Sequence, residues 1–196
     1  MAPYLQTVKS FVDVPITDAG VDTVEFLKAA EGLVGIFDLL GGIAFAAVKK
    51  DLTTNIGKVR TRYNAAPEKS ATLEQLVANE KAEKLNTASE GLTWLLRGLA
   101  FTCKALQTAQ ANKSEELASA FRKGYEETLK KYHNFLMKGA FSAALSGCPY
   151  RADFYHKLAE DPNGVSALSQ DQLSEELDKW LAALDVIVTR LQLYYK

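Results

Sequence analysis

A chain of 196 residues with 47% hydrophobic content and a formal net charge of −1 can bury one substantial core. Its near-neutrality excludes a general pull toward nucleic acid or an anionic surface. Two cysteines, Cys103 and Cys148, each without a CxxC partner, exclude a disulfide framework or zinc site and point to a reducing compartment.

The opening MAPYLQTVKSFVDVP lacks the apolar centre of a secretory signal. Asp22 with Glu25 then has the spacing of a capping box, opening a helix that runs to about Leu40, where Gly41-Gly42 stops it. That segment, GLVGIFDLLGGIAFAAV, is broken by Asp38 and the glycines before it reaches bilayer length. A second helix is predicted over 44–64, ended near Pro67. Thr72 with Gln75 opens a short third, and 86–110 reads as a long fourth. A fifth is predicted to start at Ser114 and to continue past His133, with a bend near Gly139, to Ser146. Pro149 ends it, a short helix follows over 150–159, and the loop EDPNG leads to Ser169-x-x-Gln172, a second capping pattern that opens the last helix. No alternating strand of useful length and no internal repeat is visible, so residues 1–196 are expected to form one all-α domain of about eight helices.

Three of these helices carry unusual patterns. On the second, Phe45, Val48, Leu52, Ile56, Val59 and Tyr63 form an apolar stripe. Asp51, Asn55 and Lys58 stand at i, i+4 and i+7, within roughly 60° of one another at about 100° per residue. They lie beside the stripe, not opposite it, and so rim a buried surface. The fourth helix is apolar on two sides: Leu92, Leu96, Leu99, Cys103 and Leu106 on one, Trp94, Phe101 and Ala105 on the other, with Gly98 between. Such a helix is packed between layers or lines a cavity, and packing is the commoner case. In the fifth, Leu129, His133, Leu136, Ala140 and Ala144 share a face, which puts an imidazole inside an apolar stripe. A buried histidine is usually a satisfied core residue; the alternative is a neutral N–H donor in a pocket.

Taken together, EFLKAAEGLVGIFDLLGG, FAAVKKDLTTNIGKVR, GLTWLLRGLAF, TLKKYHNFL, FSAALSGCPYRADF and LDVIV resemble the glycolipid transfer protein family, in that family's order and nearer to its fungal members. The resemblance implies a two-layer sandwich of helices around an apolar lipid cavity. It implies a protein that binds glycosphingolipids and moves them between membranes without altering them, with no cofactor and no metal. Asp51, Asn55 and Lys58 would hydrogen-bond the first sugar, and Trp94 would stack on it. Asp51 and His133 would hold the ceramide amide. Phe37, Leu40, Phe45, Val48, Phe101, Leu129 and Phe141 would line the cavity. The relatives that carry ceramide-1-phosphate have lysine at the Asn55 position and arginine at the Trp94 position; the amide and indole here favour a neutral glucosyl-, galactosyl- or lactosylceramide. Animal members place tryptophan where this chain has Phe135, the residue expected to touch the membrane. The implied protein is a cytoplasmic monomer that meets membranes transiently and has no nucleic-acid partner.

Two other classes compete. A hydrolase could use Cys148 with His133 or His156, or a carboxylate pair of Asp51 and Glu90. Cys148, however, precedes a proline in a helix-ending turn, and a lysine beside Asp51 favours an ionised, ligand-binding carboxylate. A glycolipid sensor would use the same pocket as a carrier, and vesicle transfer is the measurement that separates them.

Overall fold

The computed structural model describes residues 2–161, 163–165 and 167–195; Pro162 of the expected EDPNG loop lies outside them. Among the described residues the chain forms α1 (Tyr4–Thr7), a 3-10 turn (Phe11–Asp13), a two-residue hairpin of β1 (Ile16–Thr17) with β2 (Gly20–Val21), and α2 (Thr23–Leu39). There follow α3 (Ala46–Ala65), α4 (Leu73–Ala82), α5 (Thr87–Ala111), α6 (Leu117–Glu127), α7 (Phe135–Ser146), α8 (Arg151–Ala159) and α9 (Gln170–Tyr194). The hairpin pairs Ile16 with Val21 and Thr17 with Gly20, which is too short to leave a period-two pattern. It is held from outside: the Glu74 carboxylate accepts the Val21 N–H and the Arg190 Nε–H.

The helix boundaries follow local chemistry. Ser169/Gln172 and Thr72/Gln75 form complete reciprocal capping boxes. Asp22 caps α2 by accepting from the Glu25 N–H at 2.8 Å, but the expected reciprocal half is missing, because the Glu25 carboxylate pairs with Lys9 and Lys28 instead. Helix α5 gets its N-terminal acceptor from another element. The buried carboxylate of Glu80 on α4 takes the N–H groups of Ala88 and Ser89 and the Ser89 hydroxyl, at 2.7–3.0 Å.

The continuous helix expected from Ser114 to Ser146 is two helices. It stops after Glu127, makes a 3-10 turn over Lys130–Tyr132, and passes through an extended His133 (φ −94°, ψ 135°) before α7 begins. Two side chains compete with the helical ladder here. The Thr128 hydroxyl donates back to the Gly124 carbonyl at 2.6 Å, and Asn134 caps α7 by accepting from the Met137 N–H. The chain therefore changes direction at 128–134, while Gly139 lies inside α7.

Helix α5 is the centre of the two-layer sandwich. One face meets α9, where the Cys103 thiol donates to the Leu181 carbonyl and Gln110 reaches Ser174 and Asp178. The other meets α3 and α6. A Cβ at Gly98 would stand 2.6 Å from Leu52, and one at Gly124 would stand 2.8 Å from the Ala105 backbone, so both glycines set the close approach of helix to helix. The second apolar face of α5 is thus partly packing, and the remainder of it is cavity wall.

Candidate functional site

On α3 the side chains of Asp51 and Asn55 meet, the Asn55 amide donating to the Asp51 carboxylate at 3.3 Å. Asn55 is buried, Asp51 is exposed and Lys58 is intermediate. The stem of Lys58 crosses α5 at Gly91, where a Cβ would stand 3.0 Å from its Cβ and Cδ. The polar line read from the sequence therefore exists, and it runs along the α3–α5 seam.

His133 comes from the irregular segment between α6 and α7. Its Nδ1 lies 3.0 Å from the Tyr125 hydroxyl, and its ring packs beside Phe141, which stacks on Tyr125 at 4.2 Å and 12°. Burial pushes the imidazole pKa below its ordinary 6.5; Asp51 opposes this and Lys138 adds to it. Burial also raises the Tyr125 phenol, which stays a donor. The contact accommodates a phenol that donates to Nδ1, and in that arrangement the neutral ring carries its own proton at Nε2. The Asp51 carboxyl is raised by its enclosure at the same mouth, against the pull of Lys58, His133 and the Asn55 bond.

Between these groups lies a cavity of about 290 Å³ whose wall includes Asp51, Trp94, His133, Val48, Leu129 and Phe141, all six expected from the sequence. Asn55 and Lys58 are not on that wall; they extend the rim away from it along α3. Phe37, Leu40, Phe45 and Phe101 are fully buried behind it. Phe37, Phe45, Phe121 and Phe101 form a continuous chain of ring contacts, the last ring 5.0 Å from Phe141. Leu136, placed on the inner stripe by a helical reading, is 79% exposed, because the stripe assumed an unbroken helix; Phe135 is 93% exposed.

Sequence reasoning missed Tyr125 behind His133 and Ala44, Ala47 and Met137 on the cavity wall; Gly98, Ala140 and Ala144, noted for their helix faces but not assigned to the cavity, line it too. Small side chains on facing elements leave the gap, and the i, i+4 spacing of Ala140 and Ala144 on α7 was a readable signal. Trp94 is half-buried and meets Tyr132 edge-on, ring centres 6.5 Å apart, with the Arg97 guanidinium against both rings.

The hydrolase readings find no support in this arrangement. Burial pushes the Cys148 thiol up to about 11, far from a reactive thiolate, and neither Cys148 nor Glu90 is on the cavity wall. Among the described residues no group of three or more His, Cys, Asp or Glu side chains is placed to hold a metal ion, and no helix is long and apolar enough to cross a membrane.

An apolar chamber with a rim of carboxylate, amide, indole and neutral imidazole defines a helical binding protein for a molecule that is apolar at one end and hydroxylated or amidic at the other. The family model described as glycolipid transfer protein matches residues 21–160. A glycolipid transfer protein of Aureobasidium melanogenum is 47% identical over 180 residues, covering 92% of this chain and 86% of that one. The crystal structure of HET-C2, a fungal glycolipid transfer protein, superposes with a TM-score of 0.89 at 48% identity, covering 97% and 95% of the two chains. Mouse pleckstrin homology domain-containing family A member 8 is 34% identical over 191 residues, and the chain spans 37% of its length. The chain belongs to the glycolipid transfer protein family.

Proposed function

We propose that this protein binds neutral glycosylceramides and carries them between membranes without chemical change. The observation that carries the reading is the meeting of Asp51, Trp94 and His133, from three separate segments, at the mouth of one apolar cavity. The carboxylate accepts the ceramide N–H and the imidazole Nε2–H donates to its carbonyl. Trp94 offers a flat apolar platform to the first sugar, while Asn55 and Lys58 supply donors to its hydroxyls. The lipid chains enter the cavity and displace the aromatic cluster behind Phe141.

Membrane contact falls to Phe135. Leu136, 79% exposed, and Ile43, 97% exposed, are further apolar tips beside cavity-wall residues. The proposed carrier works as a monomer in the cytoplasm, and glucosyl-, galactosyl- and lactosylceramide are its proposed cargo. The test is transfer of fluorescent glucosylceramide between donor and acceptor vesicles, with ceramide-1-phosphate as the competing cargo and mass spectrometry of recovered lipid. Rapid transfer of intact glucosylceramide is expected. Release of free sugar, or binding without transfer, would overturn the carrier reading in favour of hydrolase or sensor.

A further inference from the structure

Arg97 stands three residues after Trp94 on α5, so the two side chains share a face of the helix. Its guanidinium centre lies 4.6 Å from the Trp94 ring centre and 3.7 Å from that of Tyr132. The two rings are inclined at 75°, and the cation is within contact of both. Among the described residues Arg97 has neither a carboxylate partner nor a hydrogen-bond acceptor for its side chain; Trp94 is its neighbour on the same helix, and Tyr132 is the ring it reaches from another segment. Tyr132 is the last residue of the 3-10 turn and directly precedes His133. A cation held by both rings thus ties the segment that carries the imidazole to the helix that carries the indole.

Resting on the sugar-platform role of Trp94, we propose that Arg97 is a positioning residue for sugar recognition, clamping the Trp94 indole against Tyr132 so that one face stays flat and open to the first sugar. A ring covered by a guanidinium on one side has a single face left for a ligand, and its χ angles are fixed before the ligand arrives. An indole already held in place loses less freedom on binding. Cation–π contacts with Trp and Tyr are strong enough to do this at a half-buried site.

The test compares Arg97→Met, which keeps the apolar stem and removes the cation, with Arg97→Lys, which keeps a cation. Each is assayed for transfer of an acyl-labelled glucosylceramide and of the ceramide with the same acyl chain. Arg97→Met is expected to weaken glucosylceramide binding roughly five-fold and leave ceramide within two-fold, and Arg97→Lys is expected to recover part of the loss. In a Trp180→Phe background, where Trp94 is the remaining tryptophan, Arg97→Met should also make Trp94 fluorescence easier to quench with acrylamide. The Trp94 indole N–H resonance gives the same reading in the unsubstituted chain, so the folding of Trp180→Phe does not decide it. Unchanged glucosylceramide binding, an equal loss for both lipids, or unaltered Trp94 mobility overturns the proposal. A wild-type protein with no preference for glucosylceramide over ceramide instead overturns the sugar-platform reading beneath it.

Discussion

At the mouth of the cavity two titratable groups are displaced in directions that set how the protein responds to pH. The folded pKa of His133 lies below 6.5, so the unfolded chain binds this proton more readily than the folded one. The associated stability is whole above pH 6.5 and drains away as pH falls through the window between 6.5 and the folded value. Asp51 has the opposite sign: its folded pKa lies above 3.8, so it adds stability only as pH falls through that folded value. Thermal melts from pH 7.5 to 5 should therefore show a decline that His133→Gln flattens. Tyr125→Phe removes the partner that fixes the Nε2–H tautomer, and a single neutral hydrogen bond is worth about 1 kcal/mol. Glycosylceramide affinity should fall roughly five-fold, which titration of the lipid against both proteins would measure. Asp51→Val should abolish transfer of glucosylceramide while costing about 1 kcal/mol of stability, because the buried Asn55 amide loses its acceptor. A transfer rate within two-fold of wild type would remove Asp51 from the site.

Among elements, the polar line of α3 and the two apolar faces of α5 were legible before the structure because both rest on regular periodicity; the seam that joins the two helices was not. Asp51, Asn55 and Lys58 lie in line for the reason the spacing gave, and the double-sided α5 does separate two layers. The segment 128–134 was not legible. Its residues are compatible with helix by pattern, and what breaks them is a pair of local bonds, Thr128 to Gly124 and Asn134 to Met137, that become decisive only once α7 has somewhere to pack. His133 reaches the cavity wall because of that break, although the stripe that singled it out does not exist as drawn. Leu136 marks the cost of the mistake. Similarly, nothing in Asn86 discloses that Glu80 caps α5, since the donor and acceptor belong to different helices. If the break is structural, Asn134→Ala should cost about 1 kcal/mol and raise hydrogen exchange selectively across 135–146. Exchange that rises uniformly over the chain would show that the cap is not what holds the start of α7.

For the molecule as a whole, the question is how a cavity of about 290 Å³, at the small end of ligand pockets, comes to hold the chains of a membrane lipid. In the proposed function, the aromatic chain from Phe37 to Phe141 is the material that parts, and the bilayer surface is where parting meets cargo. The mouth is dressed for that surface: Phe135 and Leu136 start α7, Ile43 precedes α3, and all three project into solvent. Lys131 and Lys138, four residues before and three after Phe135, are exposed. Insertion of a phenylalanine into the interface is worth about 1.5–3 kcal/mol if fully buried, so Phe135→Asp should reduce vesicle partitioning by roughly ten-fold or more. Affinity for glucosylceramide presented in micelles should hardly move, since the side chain points away from the cavity. The two measurements separate docking from cargo recognition. A Phe135→Asp protein that docks and transfers normally would place the membrane-facing surface elsewhere, and one that loses micellar binding as well would place Phe135 in the cavity wall.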